Sequence, residues 1–252
     1  MNVAEFYAFL CEKIPSELSL PGDADGMSCC PDPSVEVEKV LIALDVTADV
    51  VEEACAEECQ VFLAHHPMLF GGIGSVCLDD PRGAKLIKLI ENRIAVMSFH
   101  TRLDAADGGV SDMLAGLIGV RDTFKAGEGD LLRVGVLERP MYAEEFADLI
   151  RENLGAPFVS YSDTGRPIRR VAVAGGSVKS LIGDAIDCGA DALVGGEVGY
   201  HNLTDSSDSG ICLFEAGHFY TENPICARLF ELASEAGAVP VITFSDRIRV
   251  SK

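Results

Sequence analysis

VLIALDVT (40–47), ADVVEEACAEE (48–58) and VFLAHHP (61–67) follow one another as an apolar run, a segment of helical period and a second apolar run. That order is the βαβ unit, in which a helix carries the chain back so that two strands lie parallel. The same order returns in VAVAGGSV (171–178), KSLIGDAIDCGA (179–190) and ALVGGEVGYH (192–201). Laying Val40 on Val171 matches strand to strand and helix to helix without a gap as far as His66 on Glu197, which predicts an internal repeat. Further on, IAVMSFHTRLD (94–104) and ICLFEAGHFYTE (211–222) each pass from an apolar strand to a histidine, three residues and an acid. His100 and Asp104 thereby correspond to His218 and Glu222, with one residue inserted.

The expected fold is α/β, with two βαβ-based lobes related by a pseudo-duplication. The boundary is set near residue 125, giving an N-terminal lobe over 1–125 and a C-terminal lobe over 126–252, with the functional site in the cleft between them. AEEFADLIRENLG (143–155) reads as a packing helix closed by Gly155.

The charge balance excludes some functions. Forty acidic residues stand against 20 basic ones, a formal net charge of −20, and such a surface repels the phosphates that Lys and Arg would have to neutralise in general nucleic-acid binding. Solubility accounts for it most simply, with pre-concentration of cations as the functional alternative. The nine cysteines are scattered without a paired CxxC set, so they read as small buried hydrophobes. The start, MNVAEFYAFLCEKI, is a short amphipathic helix containing acids, not a secretory leader. A reducing, cytoplasmic setting is expected, and no apolar run reaches membrane-spanning length.

All five histidines, His65, His66, His100, His201 and His218, sit at or just after the C-terminal end of a predicted strand, where ligands collect in open α/β sheets. Strand alternation would send His65 and His66 to opposite faces. If both serve one site, the chain must leave strand geometry there, and Pro67 keeps His66 extended. His218 and Glu222 are four apart and so share a helix face. A cap on the following helix is the other use for Glu222, and a structural hydrogen bond the other use for His100. GGS (175–177) reads as a tight turn, since it lacks the spacing of a dinucleotide or P-loop motif, although Lys179 keeps an anion-binding reading open. Three histidines with two carboxylates exceed one tetrahedral structural zinc and suit two ions sharing a carboxylate.

The phrases ALDVT (43–47), FLAHHPMLFGGI (62–73), HTRLDAADGGVSDMLA (100–115), GADALVGGEVGYH (189–201) and EAGHFYTE (215–222) stand in an order that resembles the NIF-three-like family. Its members are also named homologues of a type of GTP cyclohydrolase I. The resemblance runs from about residue 22 to 235 and implies the NIF-three-like fold, a toroidal homohexamer and a dinuclear metal centre. Carried over by position, it implies that His66 and Asp104 hold one metal, His65 and His218 the other, and that Glu222 bridges them. His100 would stand near the centre, as a possible ligand or in the second shell, and His201 near its rim. The family's tryptophan-containing phrase appears here as PGDADGM (21–27), and the chain has no Trp.

These residues point to two divalent ions of zinc, iron or manganese and to a metal-dependent, hydrolase-like reaction on a small molecule, with Glu197 or His201 as a general base. GTP ring opening enters through the resemblance alone. A metal-handling or scaffold protein without turnover is the rival from another class. Purely structural metals are the third, and they predict an apo protein that unfolds.

Overall fold

A computed structural model of the chain describes residues 1–245. In chain order it runs through α1 (Val3–Lys13), β1 (Gly26–Cys29), β2 (Lys39–Ala43), α2 (Ala48–Ala56), β3 (Val61–Ala64), α3 (Pro81–Glu91), β4 (Ala95–Ser98), α4 (Thr101–Ala105) and α5 (Val110–Leu117). It continues through β5 (Arg121–Ala126), β6 (Leu132–Met141), α6 (Ala143–Leu154), β7 (Ser160–Tyr161), β8 (Ile168–Val173), α7 (Ile182–Asp187), β9 (Ala192–Gly195), α8 (Tyr200–Ser209), β10 (Cys212–Glu215), α9 (His218–Glu222), α10 (Ile225–Glu235) and β11 (Val239–Ile242).

The first of two units comprises Met1–Leu103 together with the chain from Ile225. Its sheet has the order β1-β4-β3-β2-β11. The last four strands are parallel, and β1 runs antiparallel on the outer side of β4. Val40, Leu41, Ile42 and Ala43 are all buried, as are the four residues of β3 and of β4. Continuous burial replaces alternation because both faces of a parallel sheet are covered. On one face Leu41, Phe62 and Val96 join Val50, Val51 and Ala54 of α2 in one apolar cluster.

The second unit, Asp104–Pro224, has a sheet of order β5-β6-β8-β9-β10-β7. Here β8, β9 and β10 are parallel, while β6 and β7 flank them in the antiparallel sense. Phe146, Ala147 and Ile150 of α6 pack with Val171, Val194 and Phe214. Gly155 ends α6 in the left-handed conformation, φ 64°, as its place after the last apolar turn predicted.

The pseudo-duplication is present in the topology: β1-β4-β3-β2 in the first sheet repeats as β7-β10-β9-β8 in the second. The ladders also agree, for Val40 faces Val61 and the aligned Val171 faces Ala192. The inserted residue falls before His218, where Gly217 takes φ 88°. The division of the chain differs from the expected one. Residue 125 lies inside β5, and the second unit is an insertion within the first. The reason is hydrogen bonding: β2 pairs on its outer side with β11, Val239 facing Lys39, so the end of the chain belongs with its beginning. Among the described residues no helix is long and apolar enough to cross a membrane.

Candidate metal centre

In the first unit the chain leaves β3 at Ala64 and delivers two histidines at once. The carbonyl of Leu44 accepts the His66 N–H at 2.9 Å, and the backbone turns there, which lets both rings serve one place despite the strand's alternation. His65 is fully buried and His66 half-buried, with ring centroids 5.0 Å apart. His100, just past β4, brings a third ring, 5.4 Å from His65 and 5.8 Å from His66. One donor atom from each of the three lies within 4.8 Å of the others.

Each ring has its Nδ1 set against an oxygen. For His65 it is the carbonyl of Phe99 at 2.9 Å, for His66 Oδ1 of Asp45 at 2.7 Å, and for His100 the carboxylate of Asp23 at 2.8 and 3.0 Å. A carbonyl or carboxylate oxygen can only accept, so Nδ1 carries the hydrogen, and in the neutral ring Nε2 holds the lone pair. That is the tautomer and the outer partner of a metal-ligating imidazole. Asp23 also accepts from the Thr101 N–H at 3.1 Å and from the Thr101 hydroxyl at 2.6 Å. Burial alone would raise its pKa, but the hydrogen bonds from Thr101 and His100 outweigh that and hold the carboxyl below its ordinary value.

In the second unit α9 carries the donors. His218 Nε2 stands 2.9 Å from Oε2 of Glu222, one turn on, and its Nδ1 stands 3.1 Å from Oε1 of Glu197. Glu222 is 4% exposed, and a carboxylate oxygen of Asp104 lies within 4.8 Å of one of its own. Space for Glu222 comes from two glycines. A Cβ on Gly176, where φ is 59°, would come within 2.1 Å of Glu222 Oε1, and one on Gly175 within 2.9 Å of Glu222 Cγ. The GGS segment is therefore the tight turn it was read as, and its glycines make room for a carboxylate.

A ring with a carboxyl group at each nitrogen holds two hydrogens, accepts one from a protonated acid, or meets a cation at one nitrogen. Among the described residues this arrangement at His218, with Asp104 beside Glu222, supplies mixed nitrogen and oxygen donors of the kind that suit zinc, iron or manganese. By this chemistry the donor set fits a divalent ion. Glu197, expected as a base, is turned onto His218 and lies 3.6 Å from Lys179 Nζ. His201 is exposed in the first turn of α8 beside Tyr200. A donor atom of His100 lies within 4.8 Å of one on each of His65 and His66. Asp23, Asp45 and Glu197 as ring-orienting groups were not foreseen, although Asp45 sits at a strand end in ALDVT and Asp23 in PGDADGM.

Two buried arginines brace these donors, one in each unit. Arg102, 1% exposed, pairs with Asp25 at 2.7 Å, donates to the Ile14 carbonyl at 3.2 Å and lies over the Phe99 ring at 4.0 Å. Arg133, equally buried, is paired with Asp112 and donates to the carbonyls of Ala105 at 2.8 Å and Ala106 at 3.0 Å. It thus satisfies backbone acceptors at the C-terminal end of the turn that carries Asp104.

Against known proteins, the family model described as Duf34/NIF3 (NGG1p interacting factor 3) matches residues 1–248. A protein of Clostridium perfringens (strain 13 / Type A) named GTP cyclohydrolase 1 type 2 homolog is 32% identical over 206 residues, which is 79% of either chain. Among solved structures, Staphylococcus aureus hypothetical protein SA1388 matches with TM-score 0.86 at 23% identity, over 100% of this chain and 99% of that one. Protein ybgI, described as of unknown function, matches with TM-score 0.88 at 24% identity, over 98% and 99%. At those identities the two structures speak to the fold.

Proposed function

Because the chain belongs to the Duf34/NIF3 (NGG1p interacting factor 3) family, we propose that His65, His66, Asp104, His218 and Glu222 hold two divalent ions, for a hydrolase-like reaction on a small molecule. In this reading His66 and Asp104 serve one ion, His65 and His218 the other, and Glu222 bridges. The observation that carries it is the common setting of the rings: His65, His66 and His218 each have Nδ1 on an oxygen acceptor, which turns Nε2 to the ligand role.

Two such ions supply Lewis acidity toward a carbonyl or phosphoryl oxygen and lower the pKa of a water near neutral pH. The protein's own part is to hold the donors without strain and to keep each ring in one tautomer. Asp45 does this for His66 and Glu197 for His218. Glu222, buried and backed by Gly175 and Gly176, has little freedom to swing away.

The test is elemental analysis of protein purified without added metal or chelator. About two ions per chain are expected, with a sharp fall in Glu222→Ala. Fewer than about half an ion, unrestored by added zinc, iron or manganese, would return the histidines to structural roles. Turnover is then sought on a panel of small hydrolysable substrates, in which GTP takes its place because relatives carry it in their name. A toroidal homohexamer belongs to the same proposal and is tested by mass in solution. The surplus of 20 acidic residues over basic ones favours a second reading, delivery of ions without turnover. Rapid exchange of the ions together with inertness across the panel would select it.

A further inference from the structure

We infer that Phe70 selects the substrate, by stacking a planar, unsaturated ring that adjoins the reacting group. The inference rests on reading the site as a metal centre open to small molecules, and it adds the class of molecule. Phe70 is 64% exposed, and so large an apolar ring left in water forgoes the stabilisation that burial would give. The chain around it has not come loose. Met68 is 6% exposed, and Leu69 and Ile73 pack against the apolar cluster of the first unit. The Gly72 N–H donates to the Leu69 carbonyl at 2.8 Å, and the Arg82 guanidinium donates to the Gly72 carbonyl at 3.0 Å. Residues on both sides are therefore fixed, and the turn between them holds a single ring outward. Gly71 and Gly72, with φ of 76° and 78° and nothing within 4 Å of an added Cβ, serve the left-handed backbone of that turn.

Outward, the ring goes to one place. Its centroid stands 6.2 Å from that of His100, with the two planes at 83°, an edge-to-face contact of ordinary aromatic geometry. His100 is itself in ring contact with His65 and His66. Phe70 thus reaches the histidine cluster within its own unit while most of its surface stays open to solvent. A ligand held at the cluster has this surface beside it. A planar ring can lie flat on a phenyl face or meet it edge-on, whereas a puckered ring of the same size keeps only part of that contact.

The experiment compares two hydroxamates that ligate a metal through the same two oxygens and differ in the ring: benzohydroxamate, which is planar, and cyclohexanecarbohydroxamate, which is puckered and of similar size. Each is titrated by calorimetry into the zinc-loaded full chain, into Phe70→Leu and into Phe70→Tyr, with ions per chain measured alongside. The ratio of planar to puckered affinity should fall by about 2- to 10-fold in Phe70→Leu and be kept in Phe70→Tyr, with metal content the same in all three. An unchanged ratio in Phe70→Leu overturns the inference and leaves the metal reading standing. Loss of ions from Phe70→Leu also overturns it, since Phe70 would then support the metal centre and not the ligand. A lower mass in solution for Phe70→Leu, with the ratio intact, gives the ring to a contact between copies. A chain that holds its ions and binds neither hydroxamate refutes an open centre with a stacking residue. A chain that takes up no zinc brings down the metal reading itself, and the inference with it.

Discussion

The two units share a strand order and differ in what they place at the ends of the strands. After β3 the first unit has His65-His66; at the aligned positions after β9 the second has Gly196-Glu197. Gly196 has no room for a ring, because a Cβ there would lie 2.7 Å from the His218 Cα and 2.7 Å from the Thr221 hydroxyl. The partner positions are exchanged too. Asp45, which orients His66, aligns with Gly176, which makes room for Glu222, and Glu197, aligned with His66, orients His218. One scaffold thus presents three imidazoles in one copy and one imidazole with carboxylates in the other. The lesson is that the repeat preserves where donors are offered, while the residue at each place sets whether it ligates, orients or yields space.

The largest effects are expected where each unit is braced. Arg102→Ala leaves Asp25, with a side chain 6% exposed, buried without its cation, and Arg133→Ala takes a donor from four backbone carbonyls and the cation from Asp112, which is 28% exposed. Removing one member of a buried pair costs about 3–5 kcal/mol, which applies to Arg102→Ala and is read as a lowered urea midpoint; the effect of Arg133→Ala is smaller, because solvent reaches Asp112. If both units unfold together, each variant gives one cooperative transition, with the midpoint of Arg102→Ala the lower. Separate transitions, with only the variant unit shifted, would mean that the shared topology folds as two independent bodies.

Next in size is Gly176→Ala. Its left-handed backbone penalises a side chain by about 1–3 kcal/mol, and the new Cβ collides with Glu222. Metal content should fall toward that of Glu222→Ala, whereas Gly155→Ala, also at positive φ but with nothing within 4 Å, should carry the backbone penalty and keep its metal. Equal loss of metal in both variants would refute the claim that Gly176 exists to seat Glu222.

The orienting groups rank third. Asp45→Asn and Glu197→Gln keep an oxygen facing Nδ1 but remove the charge, and changes of this kind lower metal affinity by about 10- to 100-fold. Competition with a chromogenic chelator measures this, and unequal losses would tell which of the two ions depends more on its outer partner.

Much of this was legible in the residues, for a physical reason in each case. Apolar runs and helical period give the βαβ units directly, and the repeat followed because Val40 and Val171 head ladders of the same register. Histidines at strand ends marked the site. The return of β11 to β2 was not legible, because VPVI (239–242) is short and nothing in it names the sheet it will join. Nor was the role of Asp23, since 77 positions separate it from His100 and only the antiparallel strand β1 brings that loop back. Glu197 was legible as functional through its alignment with His66, yet its orientation toward His218 depends on Gly217, whose φ of 88° sets where α9 starts.

The smallest predicted effect is a pH dependence confined to the first unit. Asp23 has its pKa held below the ordinary value in the folded chain, against about 3.9 when unfolded. Its contribution is therefore fully present above roughly pH 4 and is lost as pH falls through the lower folded value. Asp23→Asn should lose stability at pH 6 and converge on the unaltered chain as acid is added, so the two urea midpoints approach each other below about pH 4. The second unit offers the control: the exposed pair of Arg139 with Glu145 holds the Glu145 carboxyl low as well, but solvent screens it, and Arg139→Ala should leave the midpoint unchanged at either pH. A gap between Asp23→Asn and the unaltered chain that persists undiminished into acid would mean that Asp23 acts through packing, and that its charge does not hold the His100 ring.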